Sequence, residues 1–397
     1  MIFKKTGTIA ALVSGLTLLA SSAFAGPVWT FGPEEQGLLK LEYKGQFQFN
    51  HRDTGAGEAD DESANEFNFR RNRLALMGAY GSNFGLYVQT EFNEDNNISP
   101  LYVTDGGNSN FQILDAVMRF KLTDQVNVWV GKFKYNLTRE NLEACEAPLT
   151  LDRSHFIRAP YVSTRDKGVA VWGNLADGMF QYRLDAMNGR NDSDSSPKSN
   201  LRYSARGHVT LFDKETGYGY KGTYMGEKKV LTVGAAYQFE PDVEYEVAST
   251  NTGSVDYAAW TVDGFFEYPV EDVGTFTLSA AYVDYDLDDA YQTNPVDPNL
   301  TGLNGEKNGS YYKAGYMLPN LPLQLFARYE DWSFATLNYV IDQEVTAYAG
   351  GFNYYLRGQD LKLTVEYSMV DFDTEGTING VKTEDINTLT AQLQLIF

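Results

Sequence analysis

The sequence predicts an all-β fold, a single antiparallel transmembrane β-barrel of about sixteen strands, and three observations carry the prediction. First, the final segment alternates. Leu389, Ala391, Leu393, Leu395 and Phe397 share one face and Thr388, Thr390, Gln392 and Gln394 the other, with Ile396 as the exception. A period of two means a strand with one apolar and one polar side, and a strand ending on an exposed aromatic suits a wall between lipid and a wet lumen. Second, segments of this kind recur from end to end. Third, short and long connections alternate between them, as periplasmic turns and extracellular loops do in such barrels.

The N-terminus agrees with that compartment. Lys4 and Lys5, the apolar run from Ile9 to Ala20 and the triplet Ala23-Phe24-Ala25 read as a secretory signal peptide over 1–25, cleaved between Ala25 and Gly26. About a dozen apolar residues are too few to span a bilayer as a helix. Residues 26–397 then form one barrel domain, with 26–38 the only candidate for a separate periplasmic piece. Such a piece is too short to bury a core of its own.

Taken in order, the first strand puts Leu39, Leu41, Tyr43, Gly45, Phe47 and Phe49 outward and Lys40, Glu42, Lys44, Gln46, Gln48 and Asn50 inward. The second turns Leu74, Leu76, Gly78 and Tyr80 out and brings Arg71 and Arg73 in. The third alternates Phe84, Leu86, Val88, Thr90 and Phe92 against Gln89 and Glu91. The fourth sets Leu114, Ala116, Met118 and Phe120 against Asp115, Arg119 and Lys121. The rule repeats from Phe180 to Ala186, Leu201 to Leu211, Leu231 to Phe239, Leu323 to Tyr329 and Leu361 to Tyr367. Shared parity of the first and last strands predicts that the termini pair and close the barrel. Phe397 would then sit at the periplasmic rim, where it serves the barrel-assembly machinery.

Short turns fall at 123–125, 174–178, 269–274, 319–322 and 357–360. Long polar loops fall near 51–66, 94–111, 135–166, 189–199, 240–255, 287–309, 333–343 and 372–385. One connection breaks the rhythm: 212–228 stands where a short turn belongs. Its alternating Tyr218, Tyr220 and Tyr224 suggest extended strand ends.

Composition excludes several functions. A net charge of −21, or −21 − 2 = −23 without Lys4 and Lys5, argues against nucleic-acid binding. The single cysteine, Cys145, permits no internal disulfide and reads as a small loop residue. An enzyme barrel needs a nucleophile with a positioned base; the three histidines, His51, His155 and His208, stand in no such constellation. No metal-ligand spacing and no cofactor motif is present. The acidic runs Asp60-Asp61-Glu62 and Asp284 to Asp289 read as solvated faces. The 27 tyrosines and 24 phenylalanines suit strands and interfacial girdles.

Four further stretches carry a resemblance. Val130-Gly131-Lys132-Phe133-Lys134, followed by Asn141-Leu142-Glu143 and Leu151-Asp152-Arg153-Ser154, is similar to the GQFK…ERS region of the phosphate-selective porin O/P family. Phe69-Arg70-Arg71-Asn72-Arg73-Leu74 resembles that family's second strand. The stretches Leu323 to Glu330, with Leu325 where proline is common, and Gly351 to Leu356 resemble two later strands. The resemblance implies a trimeric outer-membrane porin of sixteen strands whose third loop folds inward, with basic residues lining the constriction. The implied partners are outer-membrane lipids, small anionic solutes and two further copies of the chain.

Rings of Arg or Lys favour anions, and guanidinium matches tetrahedral oxyanions. Loop 3 with its edges carries Lys132, Lys134, Arg139, Arg153, Arg158, Arg165 and Lys167 against Glu140, Glu143, Glu146, Asp152 and Asp166, 7 − 5 = +2 in an acidic chain. Lys132, Lys134, Arg139, Arg153 and Arg158 from this stretch, with Arg71, Arg73, Arg119, Lys121, Arg202, Arg206 and Arg328 from the wall, are the candidates for channel lining and anion binding. A basic constriction implies passive diffusion of small solutes with preference for phosphate-like anions. A non-selective diffusion porin shares every one of these features, and the sheath of an outer-membrane cytochrome conduit is a third reading.

Overall fold

Alternation builds a wall because each strand can satisfy its backbone only against a neighbour, and in lipid no edge can be left open. The computed structural model describes residues 26–57, 62–92, 111–190, 196–288, 290, 302–337, 340–378, 381–383 and 385–397. Residues 1–25, with Ala25, and Asp60, Asp61 and Asp289 lie outside them. The strands are β1 (Val28–Phe31), β2 (Gly37–Ala56), β3 (Glu62–Tyr80), β4 (Phe84–Phe92), β5 (Phe111–Lys121), β6 (Asn127–Phe133), β7 (Asp166–Leu175), β8 (Phe180–Met187) and β9 (Arg202–Phe212). The second half holds β10 (Val230–Glu244), β11 (Val255–Val270), β12 (Gly274–Asp286), β13 (Lys307–Met317), β14 (Leu323–Leu337), β15 (Val340–Arg357), β16 (Leu361–Phe372), β17 (Gly376–Ile378), β18 (Val381–Thr383) and β19 (Ile386–Ile396).

Strands β2 to β16 and β19 close into a sixteen-stranded antiparallel barrel. Each pairs with its neighbour in sequence, β17 and β18 form a separate hairpin, and β19 returns to β2 to seal the seam, with Leu389 opposite His51 and Leu395 opposite Gly45. Phe397 extends the seam by exchanging backbone hydrogen bonds with Tyr43, at 2.7 and 2.9 Å. Residues 26–38 are not a separate piece. Strand β1 adds to β2 with Val28 opposite Lys40, continuing the line in which β19 ends. Gly26 fills the junction: a Cβ there would lie 2.0 Å from the Leu41 carbonyl oxygen.

Outward faces carry lipid-compatible side chains and an aromatic belt. Tyr237 stands opposite Trp260, and Tyr312, Tyr329 and Tyr348 follow one another across β13, β14 and β15. Ring centroids 5.2 Å apart join Trp260 to Tyr282 and Tyr329 to Tyr348. Amphipathic rings in such a row mark the membrane interface. Among the described residues no helix is long and apolar enough to cross a membrane; the strands make the crossing.

Two expected loops are largely strand. β2 and β3 run on through most of 51–66, and β14 and β15 reach Leu337 and Val340, so they take up most of 333–343. Beyond the membrane both faces of a hairpin are wet, and the polar composition hid the pairing.

The core lies inside the barrel. Residues 134–165 turn inward, and their apolar side chains Tyr135, Leu137, Leu142, Phe156 and Ile157 are buried against wall residues Tyr257, Tyr285, Trp332 and Phe334. Phe156 meets Phe334 edge-on at 4.6 Å, and the Tyr285 hydroxyl donates to the Ile157 carbonyl at 2.7 Å. Each such side chain contributes about 1.5–3 kcal/mol by leaving water. A single helical turn, α1 (Arg139–Leu142), sits in the middle, capped by the Thr138 hydroxyl accepting from the Asn141 amide at 3.0 Å.

The irregular connection between β9 and β10 is a second inward segment, not a pair of extended strand ends. Residues 213–229 rise from the short-turn end and join the first: Glu143 and Tyr220 form a parallel bridge. The Ala144 amide donates to the Tyr220 carbonyl at 2.9 Å and the Gly222 amide to the Ala147 carbonyl at 2.8 Å. The two segments meet in mid-barrel, each satisfying backbone groups that the other leaves open.

Candidate functional site: the cation lining of the inward loop

Lumen-facing charges are built by strand parity, and the inward loop decides what each one meets. Between β2 and β3 the register shifts by one, from Gln46 opposite Arg71 to Phe47 opposite Phe69. Arg70 is thereby extruded as a bulge, and both Arg70 and Arg71 reach Asp152 of the loop, each at 2.8 Å. Parity alone assigns Arg71 and Arg73 to the lumen and misses Arg70, because a bulge breaks the count. Arg73 pairs with Glu91 at 2.6 Å, and Arg165 meets Asp115 at 3.0 Å.

These groups converge near Cys145 at the centre of the loop. The Lys134 ammonium donates to the Glu143 carbonyl and lies 3.8 Å from the Cys145 sulfur. Arg153 has a buried guanidinium nitrogen without a hydrogen-bond partner. Burial alone would raise the Cys145 thiol; Lys134, Arg153, Arg71 and Arg73 outweigh it and hold the thiol well below its ordinary range. Burial, helped by Arg153 and Arg165 and opposed by Cys145, brings Lys134 down to about 7. Asp152 is held well below the carboxylate range by Arg71, Arg70 and Arg153 against the upward push of burial. The local census leans to the basic side: Lys44, Arg70, Arg71, Arg73, Lys134, Arg153 and Arg165 face Asp152, Glu91, Asp115, Glu143 and Glu146, with the acidified Cys145 thiol among them.

Most other candidates are fastenings. Arg139 is fully buried and grips Glu215 of the second inward segment with two hydrogen bonds, 2.9 and 2.8 Å. Arg202 pairs with Glu240 at 2.6 Å and donates to the Pro160 carbonyl at 3.0 Å. Arg206 binds Asp263 at 2.6 Å and the Leu137 carbonyl at 3.0 Å. Arg328 reaches Glu366 at 3.1 Å and the Arg153 carbonyl at 3.3 Å. Each ties loop to wall by a charge-assisted bond. Arg158 lies half-buried on the loop, close enough to Lys307 and Tyr135 to act on their charge.

Two candidates stand apart. Lys121 closes β5 and pairs with Asp124 in the short turn at 2.7 Å, away from the loop. Lys132 is a correction: it does not face the lumen. Trp129 and Phe133 of β6 are buried inside, so Val128, Val130 and Lys132 point outward, and Lys132 stands opposite Lys167 of β7. Counting it with the loop ignored its place on the strand.

Below the loop, a cavity of about 420 Å³ opens at the short-turn end, lined by Arg119, Asn127, Trp129, Trp172 and Tyr218 among others. Arg119 lies over the rings of Tyr87 and Trp129, 5.0 and 4.3 Å from their centres. Among the described residues no carboxylate pairs with it. The histidines have local partners: Asn65 for His51, Glu330 for His155 and the Tyr220 hydroxyl for His208.

Comparison with known proteins agrees with this geometry. The family model for phosphate-selective porin O and P matches residues 41–397. Among solved structures, the outer-membrane channel DcaP of Acinetobacter baumannii superposes with a TM-score of 0.54 at 17% identity, over 94% of this chain and 100% of that one. OmpF of Salmonella typhi in complex with daunomycin gives 0.55 at 13% identity, over 91% and 98%. The trimer form of OmpT of Vibrio cholerae gives 0.52 at 13%, over 90% and 99%. At such identities the likeness is one of fold. No curated protein matches the sequence.

Proposed function

The chain belongs to the phosphate-selective porin O and P family of outer-membrane channels, and from that premise we propose that it passes small solutes by diffusion with a preference for anions, oxyanions among them. The observation that carries this reading is the excess of cations over carboxylates around Cys145, seven against five. Fixed donors in a low-dielectric lumen favour an anion over a cation. Two of those cations, Lys134 and Arg153, have no carboxylate within ion-pair distance among the described residues, which leaves them available to a passing oxyanion. Arg119 continues the lining toward the short-turn mouth. Phe397 acts in assembly, 1–25 is a cleaved signal peptide, and the working unit is a homotrimer; the trimer form of the Vibrio cholerae OmpT supports the last point by analogy.

A non-selective diffusion porin is the second reading, favoured by the ion pairs Arg73–Glu91 and Arg165–Asp115, which neutralise part of the lining. Reversal potentials across planar bilayers in a salt gradient decide between them. The anion reading expects a potential of anionic sign that shrinks in K134Q/R153Q. A wild-type potential of zero, or one of cationic sign, refutes it.

A further inference from the structure

We propose that Lys132 and Lys167 form a clamp on the outer wall for a phosphate group of an outer-leaflet glycolipid of the lipid A class. The assignment is independent of solute selectivity, since both residues stand on the lipid side. Lys132 of β6 lies directly opposite Lys167 of β7, one outward position beyond the apolar pair Val130 and Val169. Lys167 is exposed, as is Val169 beside it. Side chains opposed in an antiparallel pair have Cβ atoms about 4.5–5.5 Å apart, and like charges there repel. Asp115 and Asp166 act on Lys132 only at a distance, and Lys167 and Arg165 work against them. Lys132 donates one hydrogen bond to the Ile113 carbonyl at 2.8 Å, and among the described residues neither ammonium lies within ion-pair distance of a carboxylate.

A phosphate monoester relieves it. Its tetrahedral oxygens accept from both ammonium groups at once, turning a like-charge contact into two charge-assisted hydrogen bonds. The level suits a lipid headgroup: β6 ends at Phe133, where the chain leaves the wall for the inward loop, and β7 begins at Asp166, so the pair stands at the long-loop end of both strands. Lysine stems can lie along the apolar wall with their charges at the interface. The rest of the rim points the same way. On the tall side of the barrel the outward residues beyond the tyrosine belt include the acidic Asp284, Asp331, Glu344 and Asp371. Among the described residues of the barrel strands, the outward lysines and arginines at this end are Lys132 and Lys167. An anionic headgroup is repelled along one arc and attracted to the other.

Native mass spectrometry of the detergent-solubilised full chain tests the clamp, with bisphosphorylated lipid A and its dephosphorylated counterpart as probes. Wild type is expected to retain the bisphosphorylated lipid, and K132Q/K167Q to lower its occupancy roughly tenfold or more. K132R/K167R should restore it, and the dephosphorylated lipid should bind neither protein. The reversal potential of K132Q/K167Q should equal that of wild type. Equal retention by K132Q/K167Q, or equal binding of the dephosphorylated lipid, overturns the proposal. Displacement of the lipid by about 10 mM inorganic phosphate would assign the site to a free ion. Loss of oligomer in K132Q/K167Q without added lipid would assign the face to a second copy, and a shifted reversal potential would return the lysines to the conduction path. Each of these three results also overturns the lipid clamp.

Discussion

Removing the Glu215 carboxylate by Glu215→Ala should loosen the two inward segments from each other while leaving the barrel intact. Arg139 is fully buried and depends on Glu215 for a two-point contact at 2.9 and 2.8 Å. Arg139 outweighs the cost of burial and holds Glu215 down at about 2, so the carboxylate is ionised throughout the working range. Breaking one side of a buried pair costs about 3–5 kcal/mol, because the remaining charge is stranded. Here Glu143 lies 3.6 Å from Arg139, and the Lys221 carbonyl accepts from it at 3.2 Å. The low end, about 3 kcal/mol, is therefore expected. At about 1.4 kcal/mol per decade that raises the undocked population on the order of a hundredfold. The barrel ladders do not involve Glu215, so the temperature at which the protein shifts on semi-native gels should not move. Single-channel recordings read the effect as larger and noisier conductance levels. R139L/E215L strands no charge and should lie closer to wild type than E215A. Wild-type conductance levels in E215A, or a double variant worse than the single one, would refute the clasp.

Three other expectations follow from the same contacts. Asp152→Asn frees Arg70 and Arg71 from their shared carboxylate and should shift the reversal potential further toward anions, whereas a shift toward cations would contradict the lining. Selectivity should also depend on pH: burial and then Glu140 push Glu143 up to about 7, and Lys134 lies near the same value. As pH falls from 8 to 6, Glu143 loses its charge and Lys134 gains one, so anion preference should rise, and K134Q/E143Q should flatten the curve. The linkage has the same sign for Glu143: its ionisation opposes folding above pH 7, and that penalty is gone below about pH 4.5, where the carboxyl is protonated in both states. Finally, Gly131 has φ +132°, and a Cβ there would lie 2.0 Å from the Ala116 carbonyl oxygen. Gly131→Ala should cost about 1–3 kcal/mol, read as a lower gel-shift temperature, and an unchanged midpoint would show that β6 can relax.

The wall was legible because it obeys a local rule. Leu389 to Phe397 and Leu39 to Phe49 alternate under one constraint, lipid on one side and polar surroundings on the other, and that constraint shows in any ten residues. Even the exception was informative: Ile396 points inward and is buried, so the strand stays in phase to its end. Where the constraint lapses, so does the signal. Beyond the belt both faces of β2–β3 and β14–β15 are wet, and those strands read as loops. Arg70 was lost for a related reason, since a single bulge shifts the phase without changing composition.

The interior was far less legible, and the reason is physical. Parity says which side of the wall a residue faces but not what fills the space in front of it. Arg139, Arg202, Arg206 and Arg328 look alike in sequence to a selectivity ring, yet each is spent on a carboxylate or carbonyl that holds the inward loop in place. The partners come from distant stretches: Glu215 lies in a segment whose only advance sign was that it was too long for its place. A buried guanidinium beside a carboxylate adds little net charge to a pore, so counting basic residues overstates selectivity. What remains after each pair is cancelled is a small surplus around Cys145, together with Arg119 at the lower mouth. Any preference this channel has for anions must be carried by those few groups, and this is why K134Q/R153Q should change it where neutralising Arg206 would mainly unseat the loop.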